Sequence, residues 1–215
     1  GGQARSLEEL ADALVDAELA EMERALAGRD LRIETVYIGG GTPSILPEPL
    51  LTRVLSGVRA WLVPEPPLEF TFEANPASLT RAKAEILYQA GVDRVSLGAQ
   101  SFDDSDLGVL ERLHRASQVA ESVTLLRAIG FENINLDLIF GVPGQTPSGW
   151  ERSLRAAVDL GPEHIACYGL TYEPGTPLAD RLVAGQIQRV DEEVEARMYE
   201  LTTEVLEAAG FEQYE

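Results

Sequence analysis

Short apolar runs alternate with helical stretches along almost the whole of this chain, and that alternation leaves few folds open. The stretch from Ser6 begins with a serine, has Glu9 three positions later in capping-box spacing, and repeats Leu and Ala at helical intervals, which predicts a helix ending near Gly28. The run Thr35-Val36-Tyr37-Ile38 then breaks at three glycines and gives way to a helical stretch from Pro47 to Leu62. The same order recurs: strand Leu68 to Glu73 with helix Thr80 to Gln89, then strand Arg94 to Leu97 with helices between Asp103 and Ile129. Strand Ile134 to Phe140 with helix Pro147 to Leu160 follows, then strand His164 to Leu170 with helix Asp191 to Ala209. Phe211 to Glu215 reads as the start of one more strand. Gly91, Gly130, Gly161 and Gly210 each stand just past a helix, where a left-handed C-terminal cap belongs. Strands and helices alternating this regularly imply right-handed crossovers and a parallel sheet, closed as a barrel or open and doubly wound.

Periodicity alone does not choose between the two, and no G-x-G-x-x-G follows a strand to argue for a dinucleotide fold. The polar residues favour the barrel and mark a rim. Gly39 to Thr42, Glu73, Gln100 and Asp137 fall at or near the C-terminal ends of four successive strands, and Thr171 to Glu173 at the end of a fifth. In parallel α/β folds that rim binds ligands. Each position alone could be a mere loop starter; their recurrence in successive units is what points to a site.

A length of 215 residues fits one domain with one core, and no uninterrupted apolar stretch is long enough to span a bilayer. The net charge of −19 repels phosphate backbones and anionic lipid surfaces, so nucleic acid is not an expected partner. One cysteine, Cys167, excludes an internal disulfide framework, and no basic and apolar leader opens the chain, which together predict a cytoplasmic setting. His114 and His164, 50 residues apart with a single cysteine, make no metal-ligand set and are expected to be structural or surface residues; Cys167, inside an apolar strand, reads as a small core residue.

Six segments occur in order: YIGGGTPSIL (Tyr37 to Leu46), FEANP (Phe72 to Pro76), SLGAQSFD (Ser96 to Asp103), LERLH (Leu110 to His114), INLDLIFGVPGQT (Ile134 to Thr146) and YGLTYEPGTPL (Tyr168 to Leu178). Together they resemble the radical S-adenosylmethionine (SAM) barrel of the oxygen-independent coproporphyrinogen oxidase family, and within it the heme-chaperone branch more than the true oxidases. The resemblance implies a partial (β/α)6, TIM-like barrel with parallel strands, one domain over residues 1–215. Three adjacent glycines after a strand let backbone groups approach a small polar ligand. A tight turn would use them too, but in the family this loop lines the methionine part of SAM, so Gly40, Gly41 and Thr42 carry over. Glu73 can accept hydrogen bonds from hydroxyl or ammonium groups, and Arg112 offers a planar fork for a carboxylate. These two, with Gln100 and Asp137, match SAM-contacting positions of the family. The bland alternatives are a solvated helix charge for Arg112 and a structural strand-end bond for Asp137.

The family's chemistry uses a [4Fe-4S] cluster held by C-x3-C-x2-C, and that motif does not occur in these residues. Two explanations compete: the chain is a degenerate member that never had the motif, or, as expected here, it is a piece of a longer protein, with Gly1 to Ser6 falling just downstream of the cysteine loop and a further domain after Glu215. In that longer protein the implied cofactors are SAM, the cluster and heme, and the implied partners are heme or porphyrin and a heme-acceptor protein. The expected function is heme chaperoning. The alternatives are an oxygen-independent coproporphyrinogen III dehydrogenase and a cluster-less structural fragment. The chain alone is expected to be inactive.

Overall fold

The computed structural model describes residues 6–62 and 66–214. Its elements run α1 (Leu7–Leu26), β1 (Thr35–Ile38), a short 3-10 turn (Pro43–Ile45), α2 (Glu48–Arg59), β2 (Glu69–Ala74), α3 (Arg81–Gln89), β3 (Arg94–Gln100), α4 (Asp104–Val109) and α5 (Ala116–Ile129). Then follow β4 (Asn133–Phe140), α6 (Pro147–Asp159), β5 (His164–Gly169), α7 (Pro177–Val183) and α8 (Glu192–Ala208). All four strand pairings are parallel and the five strands lie in sequence order, β1-β2-β3-β4-β5. A doubly wound sheet reverses its strand order at a switch point. This one does not, so its winding is that of a barrel wall.

The two faces of the sheet differ in chemistry, because successive strand residues point to opposite sides. Phe70, Phe72 and Ala74, then Val95, Leu97 and Ala99, then Ile134, Leu136, Leu138 and Phe140 pack with Leu51, Leu55, Leu87, Leu126, Trp150 and Met198 of the helices into one core. The other face carries the alternate residues: Tyr37, Thr71 and Glu73, Ser96, Gly98 and Gln100, Asn135 and Asp137, His164 and Tyr168, in a register that sets Glu73 beside Ser96 and Ser96 beside Asn135. Trp150 anchors α6 to α8 by donating its indole N–H to Met198 O and Thr202 Oγ1 at 3.1 and 2.9 Å. Burying a ring of this size while satisfying its one donor is how a large aromatic stabilises such a junction.

Local signals hold where local chemistry decides. The Ser6/Glu9 capping box forms at 3.1 and 2.9 Å, and Gly91, Gly130, Gly161 and Gly210 have φ of 86°, 119°, 62° and 92°. Three expectations change. β3 runs on from Leu97 to Gln100 through a register shift. The short helix α7, capped by Thr176, follows the fifth strand unannounced. Phe211–Tyr214 forms no strand, and no ladder pairs it. Residues 1–5 and Glu215 lie outside the described residues.

Candidate functional site

Glu73 stands at the C-terminal end of β2, and both its oxygens are taken up. Tyr37 donates its hydroxyl to Oε1 across the strand pair, and the backbone N–H of Gly40 donates to Oε2 at 2.9 Å. Burial of the hydroxyl, then the Glu73 bond and charge, push the Tyr37 pKa above its ordinary value, so Tyr37 is a donor here and not a base. Gly39 makes this contact sterically possible: a Cβ there would lie 2.5 Å from Tyr37 Cε1 and 2.7 Å from Glu73 Cδ. Gly40 has φ 112°, which only glycine adopts readily, and Thr42, a β-branched residue, is held at φ 66°. Backbone strain of that kind concentrates at ligand loops.

Gln100 is a second left-handed non-glycine, at φ 64°, on the irregular end of β3. A bulge re-aims the side chain it carries. Gln100 folds back over Gly98, where a Cβ would come within 2.8 Å of its Nε2. The segment after α4 is fastened to the same bulge by His114, whose Nε2 meets Ala99 O at 2.9 Å while its Nδ1 has no partner. Burial pulls the pKa of His114 down, with Arg112 nearby adding to the effect. His114 is thus a neutral structural residue, as its sequence setting predicts. Its neighbour Arg112 makes no salt bridge among the described residues, and desolvation alone lowers its pKa. An unpaired guanidinium facing a cleft is an anion receptor.

Asp137 lies deeper, on β4. Its Oδ2 accepts from Ser96 Oγ at 2.9 Å and its Oδ1 from Asn135 Nδ2 at 2.8 Å. Burial raises its pKa above the ordinary value, these two bonds work against that rise, and the Glu73 charge adds to it.

Gly40, Thr42, Glu73, Gln100, Arg112 and Asp137 line one cleft of about 360 Å³, together with Tyr37, Ser96, Gly98 and Tyr168. That volume lies in the range of roughly 300–1,000 Å³ typical of small-molecule sites. Gly41 is not among the lining residues. Sequence reasoning missed Tyr37, Ser96, Gly98, Asn135 and Tyr168. A polar residue recurring two positions from another within a buried strand, as in Ser96-Gly98-Gln100 and Asn135-Asp137, is the signal that would have found several of them. A larger cavity, about 670 Å³, runs along β5 beside α8 and residues 211–214, but contains none of the seven expected residues.

Residues 3–157 match the family described as the radical SAM superfamily, and the chain belongs to it. Among curated relatives it is 42% identical over 184 residues to the heme chaperone HemW of Bacillus subtilis, covering 85% of this chain and 48% of that protein. The HemW of Mycobacterium tuberculosis is likewise 42% identical, over 91% of this chain and 50% of that one. The chain spans about half the length of these relatives. Among solved structures it superimposes on the Escherichia coli coproporphyrinogen III oxidase HemN with a TM-score of 0.81 at 23% identity, over 97% of this chain and 48% of that one. The likeness gives the five-stranded sheet its place as part of a TIM-like barrel.

Membership implies SAM and a [4Fe-4S] cluster. The cleft fits SAM: a guanidinium with no salt bridge among the described residues, two carboxylates with lone pairs to spare, and a glycine loop open to a zwitterionic head group. The residues present do not fit the cluster. Cys167 is the chain's one cysteine, it packs against the core, and burial pushes its thiol up to about 12. Among the described residues no three His, Cys, Asp or Glu side chains gather as a metal site. Ligation needs several thiolates, so no step through a cluster follows from this chain.

Proposed function

We propose that this chain is the SAM-binding barrel segment of a radical SAM protein that, in its full length, acts as a heme chaperone. The observation that carries the SAM reading is the convergence of Gly40, Thr42, Glu73, Gln100, Arg112 and Asp137 on one cleft at the C-terminal ends of successive strands. Arg112 pairs with the carboxylate of the methionine moiety. Each carboxylate already accepts two hydrogen bonds and has capacity for about two more, so Glu73 and Asp137 take hydroxyl and ammonium donors. Gln100 supplies a two-way amide, and Gly40 to Thr42 admit the head group against backbone; Gly41 contributes by its small size in the loop and not by lining the cleft. Bound SAM supplies a sulfonium whose carbon–sulfur bond breaks on gaining an electron; the chain's own residues orient it.

The heme-chaperone reading is supported by the named function of the HemW relatives at 33–42% identity. Heme and a heme-acceptor protein belong to the longer protein, residues 1–215 to one barrel domain, and the setting is cytoplasmic. No helix of the described residues is long and apolar enough to cross a membrane. Isothermal titration with SAM tests the site. Hydrogen bonds to charged groups contribute roughly 1.5–3 kcal/mol, so Arg112→Ala should weaken binding about tenfold to a hundredfold. Wild-type affinity in that variant would return Arg112 to the role of a solvated charge.

A further inference from the structure

Asp137 is the innermost of the cleft's charged residues, and part of what holds it lies outside the cleft lining. A continuous chain of hydrogen bonds leads away from it along the polar face of the sheet. Asn135 Nδ2 donates to Asp137 Oδ1 at 2.8 Å and to Ser96 Oγ at 2.7 Å, and Ser96 Oγ in turn donates to Asp137 Oδ2 at 2.9 Å. The Oδ1 of Asn135 faces His164 Nδ1, and His164 Nε2 faces the hydroxyl of Tyr214.

The donor and acceptor roles in this chain are forced one after another. An ionised carboxylate only accepts, so the side of the Asn135 amide turned to Asp137 must be its NH₂ group. Its oxygen is therefore turned to His164, and an amide oxygen only accepts, so His164 Nδ1 must be the protonated nitrogen. In a neutral ring Nε2 is then an acceptor, and Tyr214 donates to it. Reversing Asn135 or His164 would set two acceptors or two donors face to face in the part-buried stretch between Asp137 and His164, where an unmade bond costs about 1–3 kcal/mol.

We propose that Asn135 and His164 are positioning residues for Asp137, with His164, held as its Nδ1–H tautomer, fixing the Asn135 amide so that its NH₂ group holds the Asp137 carboxylate in place. The consequence for binding rests on the SAM reading given above; the tautomer does not, being a property of the fold alone. Ser96 completes the cradle from β3, so the carboxylate is gripped from two strands. A second-layer arrangement of this kind keeps a binding group in one rotamer before ligand arrives.

Two measurements on the 215-residue chain test it separately. A long-range ¹H–¹⁵N spectrum should show His164 protonated at Nδ1 at neutral pH; protonation at Nε2 alone would overturn the inference whatever the chain binds. Titration with SAM should then give about tenfold weaker binding for Asp137→Ala, and a loss of roughly three- to tenfold for Asn135→Leu and His164→Leu, in line with one lost hydrogen bond each. His164→Asn, whose amide NH₂ can stand where Nδ1–H stood, should recover to within about twofold of wild type, and a merely space-filling role for the ring would not produce that rescue. Asn135→Leu and His164→Leu binding SAM like wild type while Asp137→Ala does not would sink the positioning role and leave the SAM site standing. Absence of SAM binding by the wild type would instead count against the site, and the tautomer spectrum would still decide the hydrogen-bond chain.

Discussion

Gly39→Ala tests how closely the glycine loop is fitted to the carboxylate beneath it. The backbone at Gly39 is not left-handed, so alanine meets no conformational penalty there, and restricting the unfolded chain returns about 0.4–1 kcal/mol. The cost is contact: the new methyl would sit 2.7 Å from Glu73 Cδ and Oε1 and 2.5 Å from Tyr37 Cε1. The carboxylate must retreat by about 0.7 Å to reach an ordinary contact, which stretches the 2.9 Å bond from Gly40 N beyond hydrogen-bond range and breaks the one from Tyr37. Charge-assisted bonds contribute roughly 1.5–3 kcal/mol each when fully protected; with water able to replace part of both here, a net loss of about 1–2 kcal/mol is expected. For a chain of this size that lowers Tm by roughly 2–8 °C, readable by calorimetry. SAM affinity should fall about tenfold in the same variant, because one acceptor is misplaced. Tyr37→Phe removes one of the same two bonds, so adding it to Gly39→Ala should cost clearly less than it costs alone. Strict additivity, together with unchanged SAM binding by Gly39→Ala, would refute the reasoning.

Gly98→Ala should separate binding from stability: its one close Cβ contact is the Gln100 amide at 2.8 Å, a movable end, with Ala74 O at an ordinary 3.8 Å, so Tm holds or rises slightly while SAM affinity drops several-fold. On acidification SAM binding should weaken with a midpoint above the ordinary aspartate value of 3.8, because burial raises the Asp137 pKa and the protonated acid loses its charge and part of its acceptor capacity. The same shift has the opposite sign for folding. A raised folded pKa favours folding below the unfolded value, and that contribution disappears as pH rises through the folded one. In Asp137→Asn the acidic limb of the binding profile should vanish. Incubated anaerobically with iron and sulfide, this chain should take up no stoichiometric [4Fe-4S] cluster per monomer, since Cys167 is its one thiol and is held protonated; a cluster absorbance at one per chain would contradict this.

The strand–helix order, the glycine caps and the rim at the strand C-termini could be read from the chain because each is set by a few neighbouring residues. The Ser6 capping box is of that kind, and so is Glu73 at the end of its strand. What escaped depends on pairing between strands. Ser96 lies beside Asn135, and Tyr37 reaches Glu73, only in the register that the sheet adopts, and no local pattern states that register. His164 likewise looked like an incidental histidine because its partners, Asn135 and Tyr214, come from other segments. Gly39 is legible as a loop glycine, but what forbids a side chain there and at Gly98 is a neighbour's side chain in space. The sequence pattern ends β3 at Leu97 for a related reason: the run beyond it bends through a bulge that changes its alternation.

The central claim, that the cleft over β1 to β4 is the SAM site, is tested most directly by a crystal structure of this chain soaked with SAM. The account predicts the ligand's carboxylate against Arg112 and its remaining polar groups between Glu73, Gln100 and Asp137; density for SAM in the larger cavity beside β5, with the Arg112 cleft empty, would contradict it.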